Sequence, residues 1–164
     1  MEHKLGLPHN GSREVNDMWE WAGYLCAAAL LAYHSVFDLR RQYIPGKSLA
    51  AGVILSSCWT LGRVMMGTQS WTASCIGLIP GVVVLLLARV SREQIGRGDA
   101  WELIHMGNWL GWSHCLMALG IALSGIFLAS VLLLALGRAK RNTRIPFVPF
   151  LCAGVVIRLL CFGI

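Results

Sequence analysis

From residue 18 onward the chain repeats one pattern, an apolar run of bilayer-spanning length followed by a short polar or basic break. A helix needs about 20 mostly apolar residues to cross roughly 30 Å of hydrocarbon, so this recurrence limits the fold more than any other feature. It predicts six transmembrane helices, the first three over residues 18–37, 47–66 and 71–90. One long apolar stretch, 100–138, is divided at Gly111, Trp112 and Ser113 into a short fourth helix and a longer fifth, with a turn near Gly120 as the other place for the division. The sixth helix covers 147–164. Composition agrees with lipid as the solvent, because 56% of residues are hydrophobic, 13% are charged and the mean hydropathy is +0.62, outside the range of soluble domains. The expected fold is all-α, an integral-membrane six-helix bundle over residues 18–164 preceded by a polar segment, 1–17.

The formal charge of +6 invites a nucleic-acid reading, but the positions of the charges exclude it. Ten of the 14 basic residues fall in three alternate breaks: Arg40, Arg41 and Lys47; Arg89, Arg92 and Arg97; Arg138, Lys140, Arg141 and Arg144. Lys and Arg collect in cytoplasmic loops, so loops one, three and five are expected in the cytoplasm and both termini outside. Trp19, Trp21, Trp71, Trp109 and Trp112 fall near the opposite boundary, where an interfacial indole belt is expected. The first apolar run is not a cleaved leader, because Asp38, Arg40 and Arg41 stand where a small-residue cleavage site would be. Six scattered cysteines without a CxxC pair argue against a zinc cluster or a disulfide framework and for small packing residues.

Eight acidic residues exist, four of them in the polar outer region (Glu2, Glu14, Asp17, Glu20) and four near the cytoplasmic helix ends: Asp38, Glu93, Asp99 and Glu102. Ionisable groups at membrane depth are costly and mark function, which makes Asp38 and Asp99 the leading candidates. Each also has a structural reading. Asp38 can be an interfacial aspartate paired with a neighbouring arginine, and Asp99, three residues ahead of Glu102, has the spacing of a helix N-cap with its capping-box partner. Helix length weighs against the cap. A fourth helix of about 13 residues rises only about 20 Å, so with Trp109 and Trp112 at the outer interface its start lies roughly 10 Å below the cytoplasmic surface. Irregular backbone at that depth is tolerated where it lines a wet cavity. Two aspartates facing one cavity share a proton, the ionised one taking a proton from water while the neutral one donates to a scissile carbonyl. The chain has no HExxH zinc motif and no GxSxG nucleophile motif.

With these residues in view, the run Asp38-Leu39-Arg40 followed by Ile44-Pro45, then Gly96-Arg97-Gly98-Asp99, then Gly107-Asn108-Trp109-Leu110-Gly111, and finally Ile145-Pro146-Phe147-Val148-Pro149-Phe150 resembles the type IV prepilin peptidases and preflagellin peptidases, in order and spacing over residues 19–164. The resemblance implies Asp38 and Asp99 as a catalytic pair that cuts the short basic leader from prepilin-like precursors at the cytoplasmic membrane face. It implies Gly96, Gly98, Arg40, Pro45, Pro146 and Pro149 as substrate-binding or supporting positions, and neither metal nor other cofactor. Three departures stand out. Trp101 occupies a position where many members carry lysine, Gly46 one where many carry asparagine, and the CxxC-bearing loop of methyltransferase members is missing, so a peptidase-only form is expected. His34 lies four residues before Asp38 and Glu102 three before His105, the latter an ExxH spacing known from metal-binding bundles. With too few carboxylates for a two-metal centre, these histidines are read as hydrogen-bonding neighbours. Arg158, inside the last helix, either snorkels or pairs with a buried acid. A non-catalytic membrane scaffold or small transporter, with Asp99 a plain cap, is the alternative function.

Overall fold

The computed structural model describes residues 10–91, 96–138 and 145–163. Among these residues all regular structure is helical: α1 (Asn10–Arg41), α2 (Gly46–Met65), α3 (Trp71–Gly77), α4 (Ile79–Val90), α5 (Arg97–Leu110), α6 (Trp112–Ala135) and α7 (Phe147–Phe162). The basic residues Arg92, Lys140, Arg141 and Arg144, with Glu93, lie outside the described residues.

Four runs are long and apolar enough to cross a bilayer: Met18–Arg41, Gly46–Met65, Trp71–Val90 and Trp112–Ala135. This is a multi-pass membrane protein. The exposed side chains Ile54, Leu55, Leu86, Phe127, Leu128 and Leu132 form the lipid-facing coat that such spans require. α7 is apolar but shorter, and α5 is shorter still. Two boundaries differ from the expectation, and a third falls where the sequence places it. α1 begins at Asn10, inside the segment expected to be merely polar. The third run is broken at Leu78, because Pro80 at the second position of α4 supplies no N–H to continue the α3 ladder. The turn after α5 falls at Gly111, whose φ of +76° is open to glycine at little cost, and α6 runs unbroken through Gly120.

α5 is the axis of the bundle. It touches each of the other helices, and Ala100 together with every residue from Glu102 to Leu110 is buried. A helix buried all round is expected to be apolar, yet α5 carries Glu102, His105 and Asn108 at three-residue spacing. Each polar group finds a partner on a neighbouring helix or on α5 itself. Thr60 on α2 donates its hydroxyl to the Asn108 carbonyl at 2.9 Å, and the Asn108 amide donates to Ser56 and Ser57 at 3.3 Å each. Such interhelical bonds fix register where no water competes.

Close approach to α5 depends on missing side chains. A Cβ at Gly77 would lie 2.7 Å from the Gly107 carbonyl oxygen, and one at Gly81 would lie 2.5 Å from the Ile104 amide nitrogen. The same device joins α6 and α7, where a Cβ on Gly154 would strike the Ala118 carbonyl. Small residues at such crossings let backbones pack directly in membranes.

At the end remote from Arg40 and Arg41, Trp59 sits between Trp19 and Trp109, with ring centroids at 4.9 and 5.2 Å. Trp109 is therefore buried, at 6% exposure, rather than part of an interfacial belt, whereas Trp21, Trp71 and Trp112 are exposed as expected. Arg158 follows neither expected course. It donates to the Gly163 carbonyl at the end of its own helix at 2.5 Å and lies 5.1 Å from the centre of the Tyr24 ring. That position offsets the negative end of the α7 dipole and adds a cation–π contact.

Candidate active site

Four chain segments meet at the basic end of the bundle: the end of α1, the turn into α2, the glycine loop before α5 and the start of α7. They enclose a cavity of about 820 Å³ whose walls include both Asp38 and Asp99. The two carboxyls are far apart in sequence and reach one space because α1 and α5 are packed neighbours.

Asp38 sits in the last turn of α1, 9% exposed. The helix closes just beyond it: the Gln42 amide donates to the Asp38 carbonyl at 3.0 Å, and Gln42 takes a left-handed φ of +48° that turns the chain toward Ile44 and Pro45. Its carboxylate is held by α7. The first four N–H positions of a helix have no partner inside it. In α7 these are Pro146 at the N-cap, then Phe147, Val148 and Pro149. The two prolines have no N–H to satisfy, and the remaining two amides both go to Asp38, with Val148 donating to Oδ2 at 3.1 Å and Phe147 bonding it as well. The Ile-Pro-Phe-Val-Pro-Phe run thus builds a two-donor cradle, and Asp38 caps α7 from another helix. Its local sequence suggests an interfacial arginine pair, but the partners seen for it among the described residues are α7 amides.

Asp99 is not an N-cap. α5 starts at Arg97 with Gly96 at the cap, which places Asp99 in the first turn, where a negative charge is favoured by the helix dipole. Glu102 is no capping partner either: it is wholly buried between His34 and His105. Asp99 lies within electrostatic reach of Asp38 and Glu102. Gly96 leaves room for its carboxyl, since a Cβ there would stand 2.9 Å from Oδ2, while a Cβ on Gly98 would make ordinary contacts with the ends of Ile44 at 3.6 Å and Leu49 at 3.9 Å.

Of the positions singled out in the sequence, Asp38, Asp99, Gly96, Gly98 and Pro146 line the cavity. Arg40 is exposed at the end of α1 and does not line it, Pro45 is the N-cap of α2, and Pro149 acts within the first turn of α7. Sequence reasoning passed over Tyr43, Leu49 and Phe147 as cavity walls, which carry no chemical signature to find them by.

A family model described as the Type IV leader peptidase family matches residues 25–138, well over half the chain and both aspartates. The chain belongs to that family. Two relatives from Burkholderia pseudomallei, in strains 1026b and K96243, bear the name prepilin leader peptidase/N-methyltransferase and are 33% identical over 141 residues, an overlap of 81% of this chain and 44% of theirs. The chain therefore spans less than half the length of these curated relatives. No solved structure matches it. Against the pattern of the leader peptidase family, the two departures Trp101 and Gly46 both fall in the cavity wall, beside the aspartates rather than in the bundle core.

Proposed function

We propose that this chain is a membrane aspartic endopeptidase that removes the basic leader of prepilin-like precursors at the cytoplasmic face of the cell membrane. One observation carries the reading: two aspartates from separate helices line one cavity at the basic end of the bundle. Asp38, whose carboxylate already accepts from two amides, is suited to hold the negative charge and take a proton from water. Asp99, with its neighbour charged, is suited to keep the proton and donate it to the scissile carbonyl, and the roles reverse as the amine leaves. The chemistry needs no cofactor. Trp101 and Gly46 alter the wall that a substrate would touch, so they bear on which precursor fits.

The test is cleavage of a prepilin-like precursor by the purified chain in liposomes, with loss of the leader read by mass spectrometry. An intact precursor after prolonged incubation with the folded chain would reject the reading. Orientation follows the basic residues, so in a background without native cysteines Arg41→Cys should be labelled by thiol reagents only from the cytoplasmic side and Thr72→Cys only from outside. Reversed labelling overturns the proposed face.

The two glycines of the loop should separate in effect. Gly96→Ala crowds the Asp99 carboxyl and should lower kcat about 10- to 100-fold, the scale on which small misplacements of a reacting group act. Gly98→Ala makes an ordinary contact with Ile44 and should stay within about threefold of wild type. Equal losses in the two variants would contradict this geometry.

A further inference from the structure

One buried cluster is not used by the proposed chemistry. His34, Glu102 and His105 are each 0% exposed, and none of them lines the cavity. His34 stands four residues before Asp38 on α1 and Glu102 three after Asp99 on α5, so the cluster lies about one helical turn deeper than the aspartates on the same two helices. Glu102 faces both imidazoles at once, with Oε1 against His34 Nδ1 and Oε2 against His105 Nε2, the latter at 2.5 Å.

The donor atoms of the three side chains all lie within 4.8 Å of one another. Zinc binds histidine nitrogen and carboxylate oxygen at about 2.0–2.2 Å, so two ligands of one ion stand at most about 4.3 Å apart. Around a tetrahedral zinc, neighbouring ligand atoms stand about 3.4 Å apart, so side-chain shifts of about 1 Å, opening the imidazole–carboxylate contacts and closing the widest pair, bring all three onto one centre. Two ligands come from a single turn of α5 and the third from α1, an arrangement that helix bundles use for metals. Two histidines and a carboxylate are a donor set that zinc takes.

Charge favours an ion here. A buried carboxylate is costly without a compensating partner, and Glu102 lies within electrostatic reach of two more carboxyls, Asp38 and Asp99. A divalent cation turns the three-ligand cluster from a net −1, with both imidazoles neutral, to +1. We infer that His34, Glu102 and His105 bind one divalent transition-metal ion of the zinc type, which ties α1 to α5 beneath the aspartates. The ion is structural, and the inference does not depend on the proteolytic reading.

The test is the metal content of the full chain, purified in detergent without chelators and measured by mass spectrometry. The expected result is about one zinc per chain, and cobalt in its place should give visible d–d bands that Glu102→Gln and His105→Gln both lack. Glu102→Gln and His105→Gln should each fall to background, while Asp38→Asn and Asp99→Asn keep the ion. Zinc returned to stripped wild type should raise its Tm and leave both Gln variants unchanged. If a Gln variant fails to fold, the wild-type zinc content and cobalt spectrum still decide. Metal-free wild type whose Tm ignores zinc would overturn the inference. So would an ion lost in Asp38→Asn but kept in Glu102→Gln.

Discussion

Asp38→Asn and Asp99→Asn should each lower precursor cleavage by about 10³-fold or more, at the upper end of what a positioned acid or base contributes, with the chain still folded and inserted. Asparagine preserves the shape of aspartate and a carbonyl oxygen that accepts hydrogen bonds, so at position 38 it still receives the Phe147 and Val148 amides and α7 stays docked. It cannot exchange a proton. Asp38→Ala adds a second loss, because it leaves both amides without an acceptor, and should destabilise the chain by about 1–2 kcal/mol, as removal of a helix cap does. The pair of variants at one position therefore separates chemistry from architecture. If Asp38 served only to hold α7, the asparagine variant would cleave normally, and an active Asp99→Asn would likewise remove Asp99 from the reaction.

The shortness of the fourth helix was legible before any coordinates, because the break at Gly111, Trp112 and Ser113 ends it after only about 13 residues. The structure keeps that short helix and places it at the centre of the bundle. Its cap was less legible. Gly96 and Asp99 are both acceptable N-caps by local preference, and what settles the choice is tertiary, since Glu102 is drawn into the core by His34 from α1 rather than left to serve the helix terminus. The break at Leu78 was readable in principle from Pro80, but a hydropathy window averages over it. The role of the α7 prolines was readable only as part of a motif. Their physical purpose, to leave two free amides for Asp38, needs the α1–α7 packing that no local pattern encodes.

Gly107→Ala should cost the most among single-methyl additions, about 3 kcal/mol or more, at or past the top of the usual range for overpacking. The new Cβ would be directed at the Gly77 carbonyl, and the reciprocal Cβ on Gly77 at the Gly107 carbonyl. The obstruction is backbone on both sides, at the α3–α4 break, so no side-chain rotation relieves it and the helices have to part. Parting them shifts α5, and with it Asp99, relative to α1 and Asp38, so cleavage should fall together with stability. Gly120→Ala is the control: it sits in α6 with nothing within 4 Å of its added methyl and should stay within about 1 kcal/mol of wild type in stability. Unfolding of both variants by heat or SDS in detergent micelles measures the difference. Equal stability of Gly107→Ala and wild type would mean that α5 does not approach α3 through its backbone, and the close-packed axis described for this bundle would then be wrong.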